Sequence, residues 1–349
     1  MNSRILNVES VKASTSRRVV WADLCRVVAT FGVVIIHSCA AAFYQFTTLP
    51  MTDWLSVNFM DSLVRPSVPL FIMLSGALLL KRKEDVTLPD VFFRISKVFL
   101  PLLIWSAIYL LRNSYFNGIA VDWWSVFRYP AMYHLSFVYI LFGIYLLIPI
   151  FQIIFNAILE RIDLKIYLFV LWVIINSLPI YQPMPLLSLI QLNSLFGFGG
   201  YFLLGGIIAA TTTERFASIT WFYLYLIGAL ITFGLTFWFS QKANAPIETA
   251  YEYLSPNLVI ESIAAFVLFT RATISLKIAK LLAFIADKSF LIFFIHVIVL
   301  EYIKYSSFIA FFSQHISTIF VILIMAVLTF VMSLLTASLI RFLPGRAFG

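Results

Sequence analysis

Ten apolar runs limit what this chain can fold into. They occupy 24–45, 67–80, 98–111, 131–155, 166–179, 195–210, 217–239, 257–270, 281–303 and 316–340, with polar punctuation between them. A helix needs about 20 apolar residues to cross the hydrocarbon of a bilayer. Backbone polar groups in lipid must be satisfied within the segment, which selects helices over isolated strands. The runs predict an all-α polytopic membrane bundle of about ten transmembrane helices. The shorter ones, 67–80 and 98–111, are expected to borrow flanking residues or to sit tilted. Composition removes the alternatives. The chain is 62% hydrophobic and 11% charged, with a mean hydropathy of +0.98, whereas soluble domains carry roughly 25% charged residues. Soluble enzymes, nucleic-acid-binding modules and disulfide scaffolds are excluded. The organisation read from the pattern is an N-terminal cytoplasmic segment at 1–23, one transmembrane domain at 24–340 and a cytoplasmic tail at 341–349.

The net charge of +8 concerns topology, because Lys and Arg gather in cytoplasmic loops of membrane proteins. With the N-terminus inside, the inner segments are 1–23, 81–97, 156–165, 211–216, 271–280 and 341–349. They hold 17 of the 24 Lys and Arg, and the outer segments 46–66, 112–130, 180–194, 240–256 and 304–315 hold 5. Both termini are therefore expected in the cytoplasm. The densest cluster, Lys81, Arg82, Lys83, Arg94 and Lys97, falls in the first inner loop. Ser16-Arg17-Arg18 and the following apolar run have the outline of a signal segment, but Asp23 and Arg26 interrupt it early. The run reads as a retained helix. Cys25 and Cys39 both lie in it, 14 residues apart, too far to join within one straight helix.

Ionisable groups inside spans are costly and usually face a cavity or another polar group. The list is short: Arg26, His37, His134, Glu261, Asp287, Lys288 and His296. Asp287 and Lys288 are expected to pair locally. Arg26 and His37 are 11 residues apart on one helix, which brings them within about 20° of the same face with a rise of about 16 Å. An arginine near the mouth of a bundle suits phosphate. A neutral histidine deeper in suits proton abstraction. The alternative is an arginine reaching for headgroups and a histidine bonded to a neighbour.

Trp21-Ala22-Asp23-Leu24-Cys25-Arg26, running on to Ile35-Ile36-His37, resembles the opening signature of the integral-membrane acyltransferase family 3. Later segments resemble the same family in order: Val68 to Gly76; Arg94-Ile95-Ser96-Lys97 leading to Leu100-Pro101; Tyr201 to Gly205; Ser289 to His296; and Ile340 to Gly345. Tyr133-His134-Leu135, running to Leu147-Ile148-Pro149, is similar to the subgroup that includes the O-acetyltransferase of enterobacterial common antigen. Three departures stand out. Lys97 replaces the arginine that often closes the basic pair, Phe293 lies near where a tyrosine often precedes the late histidine, and Ser136 replaces the usual tryptophan.

The resemblance implies acyl transfer, usually of acetyl from cytoplasmic acetyl-CoA to a carbohydrate hydroxyl. It implies a multi-pass protein of the bacterial inner membrane acting on a surface polysaccharide or its lipid-linked precursor. Arg26, Arg94 and Lys97 would hold the phosphates of the acyl-CoA. His37 would act as general base or carry the acetyl group itself. His134 would meet the acceptor glycan, and His296, Glu261 and Ser75 would support the site. Ser75-Gly76 equally fits close helix packing through small residues. There is no Gly-x-Ser-x-Gly elbow, no His-Glu-x-x-His spacing and no P-loop, so no metal is expected. The competing classes are a transporter of glycan intermediates, against which the lack of visible half-repeats counts, and a succinyl-type O-acyltransferase.

Overall fold

The computed structural model describes residues 18–80, 86–182, 197–211 and 216–340. The charges expected on 1–17, 81–85, 212–215 and 341–349 lie outside the described residues. Among those described, regular structure is helical and no strand occurs. Among the described residues seven helices are long and apolar enough to cross a membrane, and up to nine if two bent pairs each count as one span.

Helix α1 spans Val20–Phe43 and is the hub. It packs on α2 (Met51–Val64), α3 (Ser67–Leu79), α12 (Leu276–Ala286), α13 (Ser289–Lys304) and α15 (Thr318–Ile340). Helices α2 and α3 together form one 29-residue span, Met51–Leu79, antiparallel to α1. The Trp54 indole donates to the Phe43 carbonyl at 2.8 Å, and a Cβ on Gly32 would meet Ser67.

This corrects the assignment of Arg65 to an outer loop. Arg65 is buried, and its Nη2 lies 2.7 Å from Asp61 Oδ2, one helical turn earlier. Its guanidinium also sits 3.8 Å from the centre of the Tyr251 ring. Pairing reduces the cost of both charges. Pro66 falls at the N-cap of α3, ahead of the first helical turn, where its missing N–H costs little.

Helix α4 (Leu88–Asn117) opens on a capping box between Thr87 and Asp90 and closes at Gly118 with φ +67°, a conformation that glycine takes without strain. At 30 residues it absorbs the flanks of the run at 98–111. The run expected at 131–155 is broken. Helix α5 (Ser136–Leu146) meets α6 (Ile148–Ile158) at 64°, because Pro149 in the first turn of α6 disfavours continuous helix before it. The run at 281–303 is broken too, with α12 and α13 bent by 62°. There the Ser289 hydroxyl donates to the Ala286 carbonyl at 2.8 Å, a local bond that competes with the helical ladder. Asp287 does not pair with Lys288. It pairs with Arg18 at 2.9 Å, while the Lys288 ammonium donates to the Phe284 carbonyl at 3.0 Å.

Helix α7 (Ile162–Asn176) runs into the short α8 (Leu178–Tyr181). The run at 195–210 yields α9, Gly199–Ala210, whose 12 residues reach only about 18 Å. Helix α10 (Ser218–Ala243) packs along α11 (Pro256–Thr270), and α14 (Ser307–His315) leads into α15. The outer faces of α7, α10 and α15 carry exposed Ile, Leu, Val and Phe, as lipid contact requires.

Candidate active site

Helices α1, α3, α5 and α13 enclose a cavity of about 260 Å³. Arg26, Leu79, Tyr145 and Ser289 line the end where α1 and α13 begin, and Phe71, Phe137 and Phe293 line the other. The sequence builds this because α5 runs antiparallel to α1, so Tyr145 comes level with Arg26. Arg26 keeps its charge available. Its neighbour Asp23 is engaged by Arg18 Nε at 2.5 Å, which leaves Arg26 Nη1 at 3.7 Å from that carboxylate. The Arg18 guanidinium, between Asp23 and Asp287, is held above its ordinary range by these hydrogen bonds. The Ser75 hydroxyl donates to the Phe71 carbonyl at 3.0 Å and neighbours the Tyr145 hydroxyl. That hydroxyl lies within electrostatic reach of both Arg26 and Arg94.

Beyond Phe137 and Phe293 stand three imidazoles. His37 of α1 stacks on His296 of α13 with ring centroids 5.3 Å apart and an interplanar angle of 27°. His134, in the short helical turn Tyr133–Leu135 before α5, lies 5.2 Å from His296 and 6.4 Å from His37. Phe293 touches both His134 (5.5 Å) and His296 (5.7 Å). His134 and His296 are buried; His37 is half-buried, with the exposed Tyr133 ring 5.0 Å away. His296 Nδ1 lies 2.6 Å from the Phe293 carbonyl. His296 Nε2 and both nitrogens of His134 are buried without a hydrogen-bond partner. Among the described residues no group of three His, Cys, Asp or Glu converges with metal-ligand geometry.

Arg26, the cavity and the histidine cluster thus follow one another along α1. The model of the acyltransferase domain of acyltransferase family 3 matches residues 19–338. The chain belongs to acyltransferase family 3. It is a multi-pass membrane acyltransferase. No curated protein and no solved structure matches it.

Within this acyltransferase the sequence-derived candidates separate into groups. Arg26 and Ser75 line the cavity, and Arg94 approaches it from α4. His37, His134 and His296 meet in one cluster. Lys97 is exposed, with its ammonium 4.1 Å from the centre of the Phe93 ring, and is not among the lining residues. Glu261 lies elsewhere, buried between α10 and α11, where the Thr232 hydroxyl donates to it at 3.3 Å. Tyr145 and Tyr133 were not singled out as site residues from sequence. Tyr133 stood inside the Tyr-His-Leu motif, and its adjacency to His134 was the available signal. Tyr145 offered none, since one tyrosine in an apolar run has no distinguishing neighbour.

Proposed function

We propose that this acyltransferase moves acetyl from cytoplasmic acetyl-CoA to a hydroxyl of a bacterial surface polysaccharide or its lipid-linked precursor, in the inner membrane with both termini cytoplasmic. The observation that carries this reading is the cavity between Arg26 and the histidine cluster. Arg26 and Arg94 at the mouth supply charge for the phosphates of the acyl donor, with Lys97 as an outer contact. The thioester then reaches inward toward Phe293. A sugar hydroxyl is a weak nucleophile until its proton is taken, and His37 takes it as general base. The hydroxyl oxygen attacks the thioester carbonyl carbon, the carbon–sulfur bond breaks, and the proton passes to the leaving thiolate. His134 meets the acceptor. The motif from Tyr133 to Pro149 keeps the reading closest to the subgroup that includes the enterobacterial common antigen O-acetyltransferase.

The test compares a deletion strain complemented with wild type, His37→Gln or His134→Gln. Mass spectrometry of the surface glycan reads acetyl content, normalised to protein in the membrane. His37→Gln is expected to accumulate normally and to lose acetylation, since general-base losses run to about 10²–10⁴-fold. His134→Gln is expected to be milder. Near wild-type acetylation in His37→Gln would remove the base from this mechanism.

A further inference from the structure

The protonation pattern of His296 follows from one bond. A carbonyl oxygen only accepts, so the 2.6 Å contact between His296 Nδ1 and the Phe293 carbonyl requires the proton on Nδ1. In the neutral ring, Nε2 then carries the lone pair and faces the cluster as an acceptor only. That nitrogen is buried, on a residue with no exposed surface, and has no partner. Its neighbours do not fill the gap. The His37 ring lies 5.3 Å away by centroid, and no hydrogen bond joins it to His296 Nε2. His134 stands edge-on at 5.2 Å, yet neither of its nitrogens forms a hydrogen bond. The Tyr109 hydroxyl, 5.1 Å by ring centroid from His134, donates to the Phe294 carbonyl at 2.8 Å.

Buried acceptors are normally satisfied, so this one points to a donor that arrives with the substrates. Of the two substrates, the thioester group carries no proton to donate, whereas a glycan carries hydroxyls beside the reacting one. Resting on the acyl-transfer reading above, we propose that His296 Nε2 accepts a hydrogen bond from a second hydroxyl of the acceptor glycan, next to the one whose proton His37 takes. It thereby holds the nucleophile beside His37 in a single orientation. The helix enforces this, because the orienting carbonyl belongs to the residue one turn earlier on α13.

The test uses the two amides that mimic opposite halves of the ring. Asparagine places a polar atom near Nδ1, and glutamine places one near Nε2. Full-length His296→Asn and His296→Gln are compared in detergent or nanodiscs. The probes are radiolabelled acetyl-CoA and surface glycan freed of esters by mild alkali. His296→Asn keeps the anchor to Phe293 and loses the acceptor. It is expected to lose roughly 10- to 100-fold in kcat/KM for the glycan with an unchanged KM for acetyl-CoA. His296→Gln is expected to retain more activity. The opposite ranking, with Asn active and Gln inactive, would mean that His296 only anchors α13 and would overturn the proposal. A rise in the KM for acetyl-CoA alone would overturn it too, by giving the orphan nitrogen to a donor amide. Failure of this inference is separable from failure of the site: an inactive His37→Gln beside a fully active His296→Asn sinks only the former, and an active His37→Gln sinks the latter.

Discussion

Two glycines set the distance between α3 and α9, and four alanine substitutions measure what that distance is worth. A Cβ on Gly76 would lie 1.8 Å from the Phe202 carbonyl oxygen, and one on Gly205 would lie 1.9 Å from the Met73 carbonyl oxygen. Cβ contacts do not fall below 3.0 Å, so each alanine demands a local separation of at least about 1.1–1.2 Å, backbone against backbone. Overpacking costs about 1–3 kcal/mol where side chains can yield; here carbonyl groups must move, and about 3 kcal/mol is expected for each. Gly143 and Gly234 are the controls, because a Cβ at either meets nothing within 4 Å. Alanine there is expected to be neutral or to stabilise by up to about 1 kcal/mol through helix propensity. The chain carries its own reporter. Cys25 and Cys39, its two cysteines, are both free and buried in α1, so a thiol-reactive fluorogenic dye reads unfolding on heating. Gly76→Ala and Gly205→Ala are expected to unfold several degrees below wild type, and Gly143→Ala and Gly234→Ala at or slightly above it. Gly76→Ala should also lower activity, since Leu74, Ser75 and Leu78 beside it line the cavity. Unfolding of Gly76→Ala within a degree of wild type would refute the close backbone contact.

Breaking the buried Asp61–Arg65 pair with Asp61→Asn is expected to destabilise by about 3–5 kcal/mol, and the double variant Asp61→Leu/Arg65→Met to recover most of it; the same thiol assay reads both. Arg26→Ala and Arg94→Ala are each expected to raise the apparent KM for acetyl-CoA by about 10- to 100-fold, the loss of a charged contact worth about 1.5–3 kcal/mol, with Lys97→Ala milder. Unchanged kinetics would reduce these arginines to topology signals. A reporter fused after Gly349 is expected in the cytoplasm and one inserted at Ala245 outside, and protease accessibility in spheroplasts decides it.

The apolar runs were enough to read a helical membrane bundle, because lipid leaves the backbone few other choices. They misplaced Arg65, since counting apolar residues stops at a charge. The i, i+4 spacing of Asp61 and Arg65 was the available sign that the two neutralise each other inside a longer span. Continuity through Leu147 and through Asp287 was also overestimated. Pro149 gave warning of the first break, whereas the second depends on a serine bonding backwards, which composition does not show. Arg26 and His37 were legible as residues of one helix, about three turns apart. That His134 and His296 join His37 depends on which helices are neighbours, and no spacing within one sequence fixes that. Glu261 looked equally eligible by cost of burial, yet it settled against Thr232 because Gly228 lets α10 approach α11 closely.

The cavity also has an electrical consequence. From Arg26 to His37 the rise along α1 is about 16 Å, roughly half of a hydrocarbon core of about 30 Å. A recess that admits water from the Arg26 end as far as Phe137 and Phe293 shortens the insulating path, and the membrane field concentrates across what remains. The stacked rings of His37 and His296, with Phe293 and Phe137 beneath them, therefore stand as the dielectric of a thinned capacitor. Moving one charge through a 100 mV drop costs about 2.3 kcal/mol, and a proton taken up by His37 in the proposed mechanism would cross a fraction of it. The rate of acyl transfer in energised vesicles is therefore expected to depend on the membrane potential, and removal of an aromatic ring from this layer is expected to raise ion conductance.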